Sequence, residues 1–305
     1  MSLPMMKKSI LVLAATLVAA GAAQAQASDT LAKIKSSGKV TMGVRESSSP
    51  LSYTLGGGKF AGYHIDVCEH VLGDVRKALG LSGLTIEYTP VTSQNRIPLV
   101  QNGTVDLECG STTNNTARQQ QVAFGLTTYV TEVRTAVNAK SGINSINQLN
   151  GKTLVTTTGT TSVQTLRKHE RATGINFNEV FGKDHADSFL ILESGRADAF
   201  VMDDNILAGN IANAKTPADF KIVGEVLAVE PIAVMFRKDD PAFKKAVDDS
   251  IRKLITSGEI QKMYAKWFQS PIPPRNINVN LPAGENTKAA WANPNDNPAE
   301  AWVKK

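Results

Sequence analysis

The sequence predicts an α/β fold in which short strands and helices alternate as parallel layers. Two observations carry that prediction. Apolar runs of about five residues, bounded by Gly, Asn or Asp, alternate with stretches of helical period along the chain. The length beyond the N-terminal leader, about 280 residues, suffices for two units of ordinary domain size. A hydrophobic fraction of 42% with 6% aromatics is that of a core-forming globular chain.

The leader comes first. Residues 1–27 carry Lys7 and Lys8, then an apolar run over 10–20, then small residues ending Ala-Gln-Ala. That succession is a secretory signal peptide, cut after Ala25 or Ala27. The apolar run falls short of the ~20 residues that span a bilayer, and no Cys follows the small residues to carry a lipid. The expectation is export to the periplasm and a soluble mature chain.

A first helix is expected over residues 29–37, with Ser28 as N-cap and Gly38 as its stop. Residues 40–44 read as a buried strand ending on Arg45, and 52–60 as a hairpin around Gly56, Gly57 and Gly58. Apolar positions 65, 68, 72, 75 and 79 predict a helix that Gly80 ends. A strand over 84–90, a helix over 95–101 and a strand over 105–109 complete a first unit. The second begins near Val137: a turn into a strand after Gly151, a helix opened at 159–162, a helix over 187–193, a strand over 197–202 and a helix over 206–212. A last strand, 233–237, precedes helices over 241–257 and 258–268, with Met263, Trp267 and Phe268 as a packing face. From Leu281 the tail shows no period.

Charge excludes one class of partner. After residue 27 the chain keeps 31 of its 33 Lys and Arg against 28 acids. They are scattered without a basic block, so nucleic acid is not expected. Cys68 and Cys109 lack C-x-x-C spacing or a nearby His pair, so no metal or other cofactor is implied. In an oxidising compartment they form either a bridge or two buried thiols.

Several segments, in order, resemble the polar amino-acid-binding family of periplasmic solute-binding proteins. They are Gly62-Tyr-His-Ile-Asp-Val67, Gly103-Thr-Val-Asp106, Gly151-Lys-Thr-Leu-Val155, Gly159-Thr-Thr-Ser162, Gly195-Arg-Ala-Asp198 and the stretch from Lys253 to Trp267. His64 stands where that family usually has an acid. Within one branch, Arg45-Glu-Ser-Ser48, Thr92-Ser-Gln-Asn-Arg-Ile-Pro98, Glu108-Cys-Gly-Ser-Thr-Thr-Asn-Asn115, Lys183-Asp-His185 and Met202-Asp-Asp204 resemble the glutamate/aspartate-binding proteins of acidic amino-acid importers. The resemblance implies a two-lobed type II periplasmic-binding-protein fold with a ligand cleft and two crossover hinge segments. Lobe 1 would comprise 28–136 and 233–280, lobe 2 residues 137–232, and a C-terminal tail 281–305. It also implies a monomer that closes on L-glutamate or L-aspartate and docks on an inner-membrane ABC permease with its ATPase.

The residue types suit that ligand. A dicarboxylic amino acid brings one ammonium and two carboxylates into a dry cleft, where an unpaired charge is costly. Arg forks bind carboxylates through two donors at once. By resemblance Arg118 takes the α-carboxylate, helped by Thr113 and Thr161, the latter at a helix start that favours an anion. Asp203 takes the α-ammonium, while Asp204 caps the next helix. Arg45, Arg96, Ser93 and His185 take the distal carboxylate, and Ser111 contacts ammonium or carboxylate. Three readings compete: a same-fold dehydratase-like or murein-cleaving enzyme, a ligand-presenting sensor module, and glutamine, asparagine or a small dicarboxylate as ligand. The absence of a nucleophile elbow, H-E-x-x-H or phosphate loop argues against an enzyme.

Overall fold

The computed structural model describes residues 29–302; the expected signal peptide and the N-cap expected at Ser28 lie outside the described residues. Helix α1 (Thr30–Ser37) is capped by Asp29, whose carboxylate accepts from Ala32 N–H at 2.7 Å, and stops at Gly38 in the left-handed region. Then follow β1 (Lys39–Val44), β2 (Ser47–Ser48), β3 (Ser52–Gly56), β4 (Lys59–Ala61), α2 (Tyr63–Ala78) and β5 (Thr85–Pro90). Next come α3 (Arg96–Gln101), β6 (Leu107–Glu108), α4 (Thr116–Gln119), β7 (Val122–Phe124) and β8 (Tyr129–Asn138). The middle of the chain forms β9 (Thr153–Thr157), α5 (Thr161–Thr173), β10 (Asn178–Gly182), α6 (His185–Glu193), β11 (Ala199–Asp203), α7 (Asp204–Asn213) and β12 (Phe220–Ile232). The chain closes with β13 (Met235–Arg237), α8 (Pro241–Thr256), α9 (Glu259–Phe268) and α10 (Glu285–Ala292).

Two five-stranded sheets organise these elements, in the orders β5-β1-β6-β13-β7 and β10-β9-β11-β8-β12. In each, three neighbouring strands run parallel, the fourth (β13 or β8) runs against them, and the fifth pairs antiparallel with the fourth. Strand β13 follows all of the second sheet in sequence yet pairs with β6 and β7 of the first. The helix positions 65, 68, 72 and 75, set by the 3.6-residue period, are all buried. They pack beneath α8 and α9, where Tyr63, Tyr264 and Phe268 meet edge-on or stacked. The second sheet has its own cores on its two faces, around Leu154 and Val201 on one and Phe200 and Met202 on the other.

Strands β8 and β12 were read from sequence only as crossover segments around 130–137 and 226–235. They form a long antiparallel ribbon registered from Asn138↔Phe220 to Tyr129↔Ile232, with a bulge between Val223 and Ala228. Backbone hydrogen bonding places them wholly in the second sheet. An isolated bridge, Thr113↔Ile232, joins the ribbon's end to the first lobe. The tail, which shows no period in sequence, contains α10 and straps this junction. Thr287 Oγ1 accepts from Val130 N–H and donates to Val130 O, both at 3.1 Å, and Trp291 Nε1 donates to Thr128 O at 2.9 Å. Farther on, Ala299 N–H donates to Asn114 O. No helix among the described residues is long and apolar enough to cross a membrane.

Of the two states left open for the cysteines, the structure has the bridge: Cys68 and Cys109 form a disulfide across a sequence separation of 41. It pins α2 to the segment leaving β6, directly before Gly110 and Ser111. A loop of that length restricts the unfolded chain by about 2–4 kcal/mol. Replacing both cysteines by serine should therefore cost about 2–4 kcal/mol in urea unfolding, and an unchanged midpoint would refute a stabilising bridge.

Candidate functional site

The carboxyl ends of the parallel strands in both sheets point at one cleft, the place where open α/β sheets present their loops to ligands. From the first lobe come Arg45 after β1, Ser93 and Arg96 after β5, and Ser111 and Thr113 after β6. From the second come Thr160 and Thr161 after β9, His185 after β10, and Met202 and Asp203 at the end of β11. Ser93, Arg96, Ser111, Thr113, Thr160, Thr161, His185, Met202 and Asp203 line one narrow cavity between the lobes. The lobes approach closely around it. A Cβ on Gly159 would fall 2.7 Å from Gln94 Cα, and one on Gly209 would fall 2.5 Å from Ser49 O. Both glycines are needed for that approach.

Arg45 is fully buried and lies beside the cavity. Its Nη1 donates to Ser111 Oγ at 3.3 Å. Its Nη2 donates to Ser93 Oγ at 3.0 Å and to Asp184 Oδ1 at 2.7 Å, an ion pair between the lobes. The same nitrogen is 3.3 Å from His185 Nε2. On the other side of the ring, Nδ1 lies 2.9 Å from Thr157 Oγ1. Burial, then Arg45, drives the His185 pKa far down, so the ring is neutral. Burial by itself would raise the Asp184 carboxyl, but Arg45, His185 and Ser47 outweigh it and hold it below its usual range.

Arg96 is 2% exposed, and its Nε and Nη1 have no hydrogen-bond partner within the protein. Burial, then the charges of Arg118 and Arg45, brings its pKa down to about 9. Across the cavity Asp203 is also 2% exposed, with Oδ1 unpartnered. Its pKa is pushed well above the usual carboxylate range by burial, then by Glu230 and Asp204. The site thus presents two buried, incompletely paired groups of opposite sign. Arg118 stands beside this cavity: its Nη1 donates to Thr113 O at 2.9 Å, and it borders the adjoining cleft together with Ser93, Thr160 and Thr161. Asp204 is not the cap expected of it: it is the first residue of α7, whose N-cap position is Asp203. Asp204 Oδ1 accepts from Asn205 N–H, Thr131 Oγ1 and Tyr129 Oη, which ties the start of α7 to β8.

Sequence reasoning missed three acids. Asp184 caps α6, which starts two residues earlier than expected, and reaches Arg45. Glu108 is fully buried and accepts from Thr112 Oγ1 at 2.7 Å. Glu230, in the middle of a presumed crossover, accepts from Thr113 Oγ1 at 2.5 Å and Thr161 Oγ1 at 2.8 Å. The available signal was the charge count, because three cleft arginines require anions that Asp203 alone cannot supply. His64 has a larger part than a helix start. Its Nδ1 lies 2.6 Å from Gly110 O and its Nε2 2.5 Å from Thr128 Oγ1, bracing the ligand loop against the ribbon. Burial lowers its pKa to about 4.

Two sheet-centred lobes, joined by a paired ribbon and facing each other across a charged cavity, define a solute-binding protein of the type II periplasmic-binding-protein fold. Residues 40–270 match the bacterial extracellular solute-binding proteins, family 3, and the chain belongs to that family. It is 44% identical over 296 residues to a glutamate/aspartate import solute-binding protein of Escherichia coli (strain K12), covering 95% of this chain and 98% of that one. It is 45% identical over 288 residues to an L-glutamate/L-aspartate-binding protein of Pseudomonas aeruginosa strain PAO1, covering 94% and 95%. Among solved structures, a cysteine-binding protein from Campylobacter jejuni superposes with a TM-score of 0.68 at 26% identity, covering 79% of this chain and 93% of that one.

The raised pKa of Asp203 has a defined consequence for stability. Between the ordinary carboxylate range and the raised folded value, the folded chain holds a proton the unfolded chain has lost. Stability contributed at this site therefore falls as pH rises through that window. Asp203→Asn should raise the stability of the protein without added solute by about 1–2 kcal/mol at pH 7.5. That gain should shrink toward pH 4; a gain independent of pH would contradict the assignment.

Proposed function

We propose that this protein captures L-glutamate or L-aspartate by lobe closure and presents it, as a monomer, to an inner-membrane ABC permease and its ATPase. The leader read at residues 1–27 supports delivery to the periplasm by a cleaved signal peptide. The observation that carries the ligand class is a buried guanidinium and a buried carboxyl on one cavity, with Arg96 Nε and Nη1 and Asp203 Oδ1 all unpartnered. A zwitterion with an extra carboxylate satisfies both, whereas a neutral solute leaves them desolvated.

The ends of the ligand follow from the donors. Arg45, Arg96, Ser93, Ser111 and His185 gather at one side, where the distal carboxylate accepts their hydrogen bonds. His185, neutral, can present one N–H to it. Asp203 holds the α-ammonium. Arg118, with the backbone N–H groups of Thr113 and of Thr161 at the first turn of α5, holds the α-carboxylate. These contacts come from both lobes, so the ligand binds the closed form better than the open one and shifts the population towards it. The likeness to glutamate/aspartate-binding relatives supports the same ligand class.

Calorimetry against glutamate, aspartate, glutamine and asparagine tests the reading, and binding confined to the two neutral amides would defeat it. Arg96→Gln should weaken glutamate by about 2 kcal/mol or more, because a buried ligand carboxylate loses its charged partner. Unchanged affinity would remove Arg96 from the site. Small-angle scattering should show a smaller radius of gyration with glutamate than without it.

A further inference from the structure

We propose that Glu230 is a specificity-determining residue that acts through two threonines, orienting their hydroxyls so that, with Asp203, they accept the ammonium group of an amino acid. The inference rests on the amino-acid reading of the site and names a determinant that reading does not include.

Glu230 sits in β12, in register with Thr131 of β8, and is 3% exposed. One of its oxygens, Oε2, accepts both the Thr113 hydroxyl from the first lobe and the Thr161 hydroxyl from the second. A threonine hydroxyl has one hydrogen and two lone pairs. With both hydrogens directed at Glu230, each Oγ1 has only lone pairs left for other partners. Thr113 and Thr161 line the cavity together with Asp203, whose Oδ1 is unpartnered. That end therefore offers three acceptors and no hydroxyl donor, the complement of an ammonium with three N–H donors. These hydroxyls therefore favour the ammonium on their side, while the α-carboxylate keeps to Arg118 and the backbone N–H groups. The two threonines come from opposite lobes and lie 3.5 Å apart, so this acceptor set is complete only while the lobes are together.

A glutamine at 230 keeps the volume but offers one acceptor and one donor in place of the carboxylate. One threonine must then turn its hydrogen elsewhere, and an N–H adjoins the ammonium end. The test measures glutamate and glutarate, the same dicarboxylate without the amine, by calorimetric competition on wild-type protein and on Glu230→Gln. A single cooperative thermal transition establishes that the variant folds. Glutamate affinity should fall about 30-fold or more while glutarate affinity changes by less than about threefold. A parallel loss of both ligands, as a merely structural role would produce, overturns the proposal, and so does a glutamate loss under about threefold. Wild-type protein that binds neither glutamate nor aspartate would defeat the amino-acid reading itself; retained wild-type binding with parallel losses defeats only the role of Glu230.

Discussion

A guanidinium taken out of water must be met by anions, and much of this molecule is arranged around that requirement. Arg45, Arg96 and Arg118 are all buried at the cleft. Coulombic attraction repays their desolvation only when the geometry is close and the remaining donors are used. Arg45 is well paired by Asp184 from the opposite lobe and by two serines. Arg118 is held by the Thr113 carbonyl and lies within the field of Glu230, Asp203 and Glu108. Arg96 is only partly satisfied, and Asp203 faces it across the cavity in the same condition. In the proposed reading that incomplete pairing is the driving force for ligand capture, and Glu230 orients the hydroxyls that receive the ammonium.

The rest of the fold keeps those charges in place. The Cys68–Cys109 disulfide and His64 both hold the segment leaving β6, from which Ser111 and Thr113 reach the cavity. The ribbon of β8 and β12 supplies Glu230, receives Asp204 and carries the strap formed by α10 and the tail. A strap that ties Val130 and Asn114 to the C-terminal segment links the ribbon to the loop bearing Arg118. Gly159 and Gly209 allow the two lobes to meet backbone to backbone. The arrangement couples ligand geometry to lobe geometry, as a closure mechanism requires.

Much of the fold was legible because periodicity and Gly stops are local signals. The helix over 65–79 and the strand over 40–44 needed only their own residues to be recognised. The ribbon was harder. β8 carries Glu132 and Arg134 within its apolar residues, and β12 contains Gly224 and Pro231, so neither reads as a regular strand until the other is paired with it. Helix α10 has a weak apolar pattern and is held by contacts to Val130 and Thr128, more than 150 residues away. For the site, motif order pointed to the arginines, Asp203 and His185, whereas Asp184, Glu108 and Glu230 escaped notice. Each of those acids sits in a segment whose local role, as a cap, a strand or a crossover, already accounted for it.

By itself the sequence determined an α/β chain, a family resemblance and a set of candidate residues whose types suit a charged, amine-bearing dicarboxylate, because composition, period and motif order are properties of the chain alone. Only the tertiary structure decided that Cys68 and Cys109 are bridged, that Arg45 is paired across the cleft by Asp184, and that one carboxylate in the ribbon receives hydroxyls from both lobes. The physical reason is distance along the chain. Thr113, Thr161 and Glu230 lie 48 and 69 residues apart in sequence, and no local pattern records which buried charge a distant segment will be brought to neutralise.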